Sequence, residues 1–142
     1  MTRELALKIV KDGEGATKFV TVTVAGAASR HDARTVARAI AKSPLVKTAW
    51  NGGDPNWGRI LAAIGYSGAR IEENRVDITF DGVLAVKDGL ASPGASLKDL
   101  EQVYAKKEFT VAVQLNGGKA EHTVYTCDLS REYVGINAEY MT

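Results

Sequence analysis

The sequence predicts an α+β fold with mixed, largely antiparallel sheets and packed helices. Two observations carry that prediction. Segments with apolar residues at every second position alternate with segments of helical period. The candidate strands are also joined by short turns, as at Asp81-Gly82 and Asn116-Gly117-Gly118, which suit hairpins better than parallel crossovers.

Residues 2–10 place Leu5, Ile9 and Val10 on one helical face, and two glycines in DGEGA (12–16) break that helix. Residues 17–24 read as a strand, with Val20, Val22 and Val24 on one face and Phe19, Thr21 and Thr23 on the other. AGAAS (25–29) reads as a loop. The clearest helix covers 32–43, where Ala33, Val36, Ala37, Ile40 and Ala41 form an apolar stripe and Pro44 fixes the end. Residues 45–50 suit either a short strand or a turn of helix. Asp54-Pro55 reads as an N-cap with proline at the first helical position, opening a helix through Ile60, Leu61 and Ile64.

Residues 75–80 alternate, with Val76, Ile78 and Phe80 inward, and Asp81-Gly82 turns the chain into a second strand at 83–86. KDGLASPGAS (87–96) reads as a loop. Residues 97–106 form a short helix. Phe109, Val111, Val113 and Leu115 line one face of a strand, and Asn116-Gly117-Gly118 predicts a hairpin into a strand at 119–126. Ser130 then caps a last helix carrying Tyr133, Val134, Ile136 and Tyr140. The 87–96 loop is the expected boundary between an N-terminal lobe, 1–86, and a helix-hairpin-helix lobe, 87–142, unless the whole is one compact domain.

With 142 residues the chain is long enough to bury a core without disulfide or metal staples. Its 18 basic and 17 acidic residues leave a net charge of +1, which argues against nucleic acid as a partner. Cys127 stands alone, so neither an internal disulfide nor a zinc-type cluster is expected. The first residues hold no signal-peptide core, and no apolar run reaches the roughly 20 residues of a membrane span, so a cytoplasmic location is expected.

Several segments invite a chemical reading. DGEGATK (12–18) has the glycines of a phosphate loop, but the order is helix, loop, strand, and the phosphate-loop spacing is missing. It is either a plain helix-to-strand turn or a backbone that presents the Glu14 carboxylate to a ligand ammonium. Arg30, Arg34, Arg38 and Lys42 recur every fourth residue opposite the apolar stripe, the pattern of a solvated helix face. NGGDPNWGR (51–59) reads as a loop and capped helix start anchored by Trp57, or as a site wall with helix amides facing an anion. His31 and His122 lack catalytic or metal partners at a telling spacing, and Cys127 reads as a small buried hydrophobe. Asn137 sits beside the stripe of the last helix, where a buried amide needs a partner such as a ligand carboxylate.

Taken together, DGEGATKFVTV (12–22), SPLVKTA (43–49), DPNWGRI (54–60), CDLS (127–130) and YVGINAEY (133–140) stand in a specific order. They resemble the C-terminal part of the β chain of the ornithine acetyltransferase family, also called glutamate N-acetyltransferases, over essentially the whole chain. The resemblance implies a precursor that cleaves itself before a threonine. That threonine then carries acetyl from N-acetylornithine to glutamate in arginine biosynthesis, with an oxyanion hole from the α chain. No cofactor is implied, although some members also accept acetyl-CoA as co-substrate. By the same resemblance Glu14, Asn137 and Thr142 are substrate-binding positions, with Glu14 suited to a substrate ammonium.

The α chain, the nucleophilic threonine and the first part of the β chain have no counterpart in these 142 residues. Thr2, well before DGEGATKF, does not match the nucleophile's strand setting. The resemblance therefore implies a fragment, or an excised or rebuilt domain, with no catalytic residue of its own and no acetyl transfer alone. Its expected partners are the α chain, the remainder of the β chain, and the substrates N-acetylornithine, ornithine and glutamate. Uncovered apolar surface further predicts an oligomer. The competing expectation is a non-catalytic module for folding, assembly or ligand binding.

Overall fold

A computed structural model describes residues 17–129, together with Glu4. Among these residues six strands form one mixed sheet: β1 (Phe19–Ala27), β2 (Asp77–Phe80), β3 (Val83–Lys87), β4 (Leu90–Ala91), β5 (Glu108–Gln114) and β6 (Ala120–Cys127), in the spatial order β4-β3-β2-β5-β1-β6. Among the described residues four helices of two turns or more accompany them: α1 (Arg30–Lys42), α2 (Pro44–Asn51), α3 (Trp57–Tyr66) and α4 (Leu97–Tyr104). This is the mixed, largely antiparallel α+β arrangement expected, with one parallel pair, β1 with β5.

The alternation in the sequence becomes two sheet faces. Val20, Val22 and Val24 of β1 stand beside Phe109, Val111 and Val113 of β5, and beside Thr126, Val124 and His122 of β6. α1 packs on this face over β1 and β6, burying Ala33, Val36, Ala37 and Ile40. Trp50 of α2 meets Phe109 edge-on at 6.2 Å, and Tyr104 of α4 stacks on Phe109 at 5.1 Å and meets Phe80 of β2 edge-on at 5.2 Å. The four described helices and the core therefore share one face. The opposite face carries Thr21, Thr23, Thr123 and Tyr125, with Tyr125 stacked on Phe19.

Local chemistry sets the helix ends. Ser29 caps α1 by accepting from Asp32 N, so the expected loop at 25–29 is instead the end of β1 followed by a cap. Ser43 caps α2 by accepting from Val46 N, and Pro44 occupies its first turn, so Pro44 opens the helix at 44–51 rather than only ending α1. The cap expected at Asp54 lies at Asn56, whose Oδ1 accepts from Arg59 N. Asp54 is engaged in closing α2. Gly53 is left-handed (φ +67), Gly53 N donates to Trp50 O, and Asp54 N donates to Ala49 O, the paired bonds of a Schellman motif.

Both Asp-Gly turns have the two left-handed residues that a type I′ hairpin requires, Asp81-Gly82 and Asp88-Gly89. The second builds the short β4 within the expected 87–96 loop. Asn116-Gly117-Gly118 does not make the expected hairpin. β5 and β6 lie on either side of β1, and the loop carries the chain over the end of β1. There Gly117 N donates to Gly26 O at 2.7 Å. Gly26 (φ +70) admits no side chain, since a Cβ would lie 1.6 Å from Gln114 Oε1 and 2.8 Å from Asn116 N. Strands from 1–86 and from 87–142 thus interleave in a single sheet. The helices expected at 2–10 and after Ser130 lie outside the described residues.

Candidate functional site

The C-terminal edge of β6 delivers Asp128 into the junction between β1 and α2. It is 2% exposed, one of two buried charged side chains among the described residues. Asp128 Oδ1 accepts from the backbone N–H groups of Thr17 and Lys18, each at 2.8 Å. Asp128 Oδ2 accepts from Asn51 Nδ2 at 2.9 Å and from the Thr17 hydroxyl. Backbone bonds repeat the connection, from Asp128 N to Lys18 O and from Leu129 N to Lys47 O, both 3.2 Å.

Burial pushes the Asp128 carboxyl up, but donations from Thr17, Asn51 and Lys18 outweigh it and hold the pKa below the usual carboxylate range. The carboxylate stays ionised near neutrality with its acceptor positions occupied, which suits it to fixing geometry rather than moving protons. Lys18, whose Nζ donates to Tyr104 O, is pulled below its ordinary pKa by burial, against the opposing charge of Asp128.

Three of the sequence motifs therefore meet at one carboxylate. Thr17 and Lys18 belong to DGEGATKF, Asn51 opens NGGDPNWGR, and Asp128 belongs to CDLS. No local pattern in the sequence distinguishes Asp128, whereas the lone Cys127 beside it is the conspicuous residue of that motif. Cys127 is half-buried, and burial raises its thiol pKa, in keeping with a packing role. NGGDPNWGR fits its loop-and-cap reading. Asn56 caps α3, Trp57 packs against the core, and Arg59 Nη1 donates to Leu45 O at 2.8 Å. Glu14, Asn137 and Thr142 lie outside the described residues. In sequence, the Glu14 segment directly precedes Thr17 and the segment bearing Asn137 and Thr142 follows Leu129.

The other buried charge, Asp32, anchors the start of α1. Its Oδ2 accepts from Arg70 Nε at 3.0 Å. Burial raises its carboxyl pKa, but the hydrogen bonds from Arg70 and Ser29 carry it below the usual range. Arg30, Arg34, Arg38 and Lys42 are exposed, as expected of a solvated helix face.

The ArgJ family model matches residues 1–142, the whole chain. The chain belongs to the ArgJ family. Among curated ArgJ relatives, an arginine biosynthesis bifunctional protein ArgJ from Geobacter sulfurreducens is 56% identical over 138 residues, 97% of this chain and 35% of that protein. A glutamate N-acetyltransferase from Methanocaldococcus jannaschii is 53% identical over 147 residues, 99% of this chain and 37% of that protein. The chain thus spans about a third of the length of these ArgJ relatives. The crystal structure of the arginine biosynthesis bifunctional protein ArgJ from Bacillus halodurans matches with a TM-score of 0.89 at 40% identity, over 96% of this chain and 64% of that one. The sequence resemblance and the ArgJ fold agree.

Proposed function

We propose that this chain is the C-terminal β-chain part of a glutamate N-acetyltransferase. It supplies Glu14, Asn137 and Thr142 to a substrate site whose nucleophile lies in another part of the enzyme. In this reading a threonine Oγ takes the acetyl group from the nitrogen of N-acetylornithine, releasing ornithine. The glutamate amine then takes it from threonine, releasing N-acetylglutamate. Donors of the α chain stabilise each tetrahedral oxyanion. Glu14 meets the substrate ammonium by a charge-assisted hydrogen bond. No cofactor takes part, and acetyl-CoA is a second acetyl donor in bifunctional enzymes.

The observation supporting this reading is the junction at Asp128. It ties the strand that follows the Glu14 segment to the strand that precedes the Asn137 segment. The partners are the α chain and the remainder of the β chain, made by self-cleavage and assembled as an oligomer in the cytoplasm. Among the described residues no helix is long and apolar enough to cross a membrane.

The test is calorimetric titration of the chain with ornithine, glutamate and their acetylated forms, beside an acetyl-transfer assay. Binding that is lost in Glu14→Ala, without turnover, is the expected result. Accumulation of N-acetylglutamate from the chain alone overturns the placement of the nucleophile, and no binding by the native chain favours a non-catalytic module.

A further inference from the structure

β6 is a terminal strand of the sheet, and its outer edge pairs with no described strand. At eight residues, AEHTVYTC, it contains neither proline nor lysine, the residues that usually guard an exposed edge against strand addition. The opposite edge of the sheet, β4, is only two residues long.

Beside this open edge runs the basic stripe of α1. His122, Val124 and Thr126 of β6 point to the α1 face, in register with Val24, Val22 and Val20. Thr126 Oγ1 donates to Ala41 O at 3.2 Å, which fixes the end of α1 against the strand. Two adjoining grooves follow the seam. Arg30, Arg34 and His122 line one, while Arg38, Lys42, Lys47 and Val124 line the other. His122 registers the field: burial lowers its pKa, and Arg34, Arg38 and Arg30 lower it further. Arg70, Arg75, Lys87 and Lys106 each pair with a carboxylate, whereas the stripe and Lys47 pair with none among the described residues. Glu121, the one acidic residue of β6, alternates to the other face.

From this juxtaposition we propose that β6 and α1 form a docking surface for an acidic, extended segment of a partner polypeptide, which adds to the sheet as a seventh strand. The spacings agree. Successive arginines four residues apart on a helix advance about 6 Å. Same-face residues of an added strand advance about 6.8 Å, so acidic residues at alternate positions fall under Arg30, Arg34 and Arg38. Main-chain bonds to β6 supply affinity, and the stripe selects the charge. A second copy of this chain is a poor occupant, because pairing two β6 edges brings two basic stripes together. The proposal stands independently of the acetyltransferase reading.

The test uses the 142-residue chain and two blocked, dye-labelled octapeptides, one alternating Glu with Val and one alternating Lys with Val. The Glu-Val peptide is expected to bind and the Lys-Val peptide not. Amide hydrogen exchange should slow at alternate residues of 121–127, those whose N–H groups face outward. Arg34→Glu with Arg38→Glu should weaken binding about tenfold or more, with thermal unfolding unchanged as the control for folding. Absence of Glu-Val binding, binding unaffected by the double reversal, or binding without protection of β6 amides overturns the proposal. Competition by duplex DNA at equal concentration reassigns the surface to nucleic acid. A native dimer that the double reversal dissociates reassigns it to a second copy.

Discussion

Asn51 and Asp128 stand 77 positions apart in sequence, yet the Asn51 amide donates to the Asp128 carboxylate at 2.9 Å. That bond joins the end of α2 to the end of β6, and the same carboxylate holds the start of β1. Replacing Asp128 by Ala removes the acceptor for Thr17, Lys18 and Asn51 together. Chemical denaturation should show a loss of about 2–3 kcal/mol. Asp128→Asn, which keeps the shape and one carbonyl acceptor, should lose less.

Acid should destabilise the chain through its carboxylates. Asp32, Asp77 and Asp128 are each raised by burial but lowered more by donated hydrogen bonds, so all three titrate below their ordinary value in the folded chain. In the unfolded chain they take up protons near pH 3.9, so their stabilisation is complete above about pH 5. It is lost as pH falls through the lower, folded values. Urea midpoints measured from pH 7 to pH 3 should fall through that window, and Asp128→Asn should flatten the slope.

Much of the fold is legible in the sequence because it depends on neighbours along the chain. The valine faces of β1, the stripe of α1 and the turn at Asp81-Gly82 follow from periodicity and backbone preference alone. The parts that depart from the local pattern depend on distant partners. Asn116-Gly117-Gly118 has the composition of a hairpin, but β1 competes for both adjoining strands and separates them. Asp54-Pro55 has the composition of a helix start, but Asp54 N is taken by Ala49 O. Asp128 is an ordinary aspartate in sequence, and its donors lie in segments whose approach no local pattern announces.

Two glycines should respond to alanine in opposite ways. Gly26→Ala places a methyl against Gln114 and the Asn116 backbone at a left-handed φ, and should cost about 2–3 kcal/mol. Gly65 lies exposed in α3 with nothing within 4 Å of an added Cβ. Gly65→Ala should therefore gain about 0.5–1 kcal/mol through helix propensity and a less free unfolded chain. Thermal unfolding of the pair checks both signs.

Cys127 should alkylate slowly. Its thiol is half-buried, and burial raises its pKa, so little thiolate is present near neutrality. Iodoacetamide at pH 7 should label the native chain at least about tenfold more slowly than the urea-unfolded chain. Equal rates would show that the end of β6 opens without global unfolding.

The position of β1 bears on how a nascent chain acquires this sheet. Phe19 pairs with Glu108 on one side and Cys127 on the other, so β1 is synthesised long before either neighbour exists. Until residues 108–127 emerge it is an apolar, two-edged segment, flanked among the described residues by α1. Closure waits for the passage over Gly26 to carry the chain across, which makes the sheet slow to complete for its size. A ribosome stalled before Cys127 would hold β1 open, and such chains should be the ones that chaperones capture.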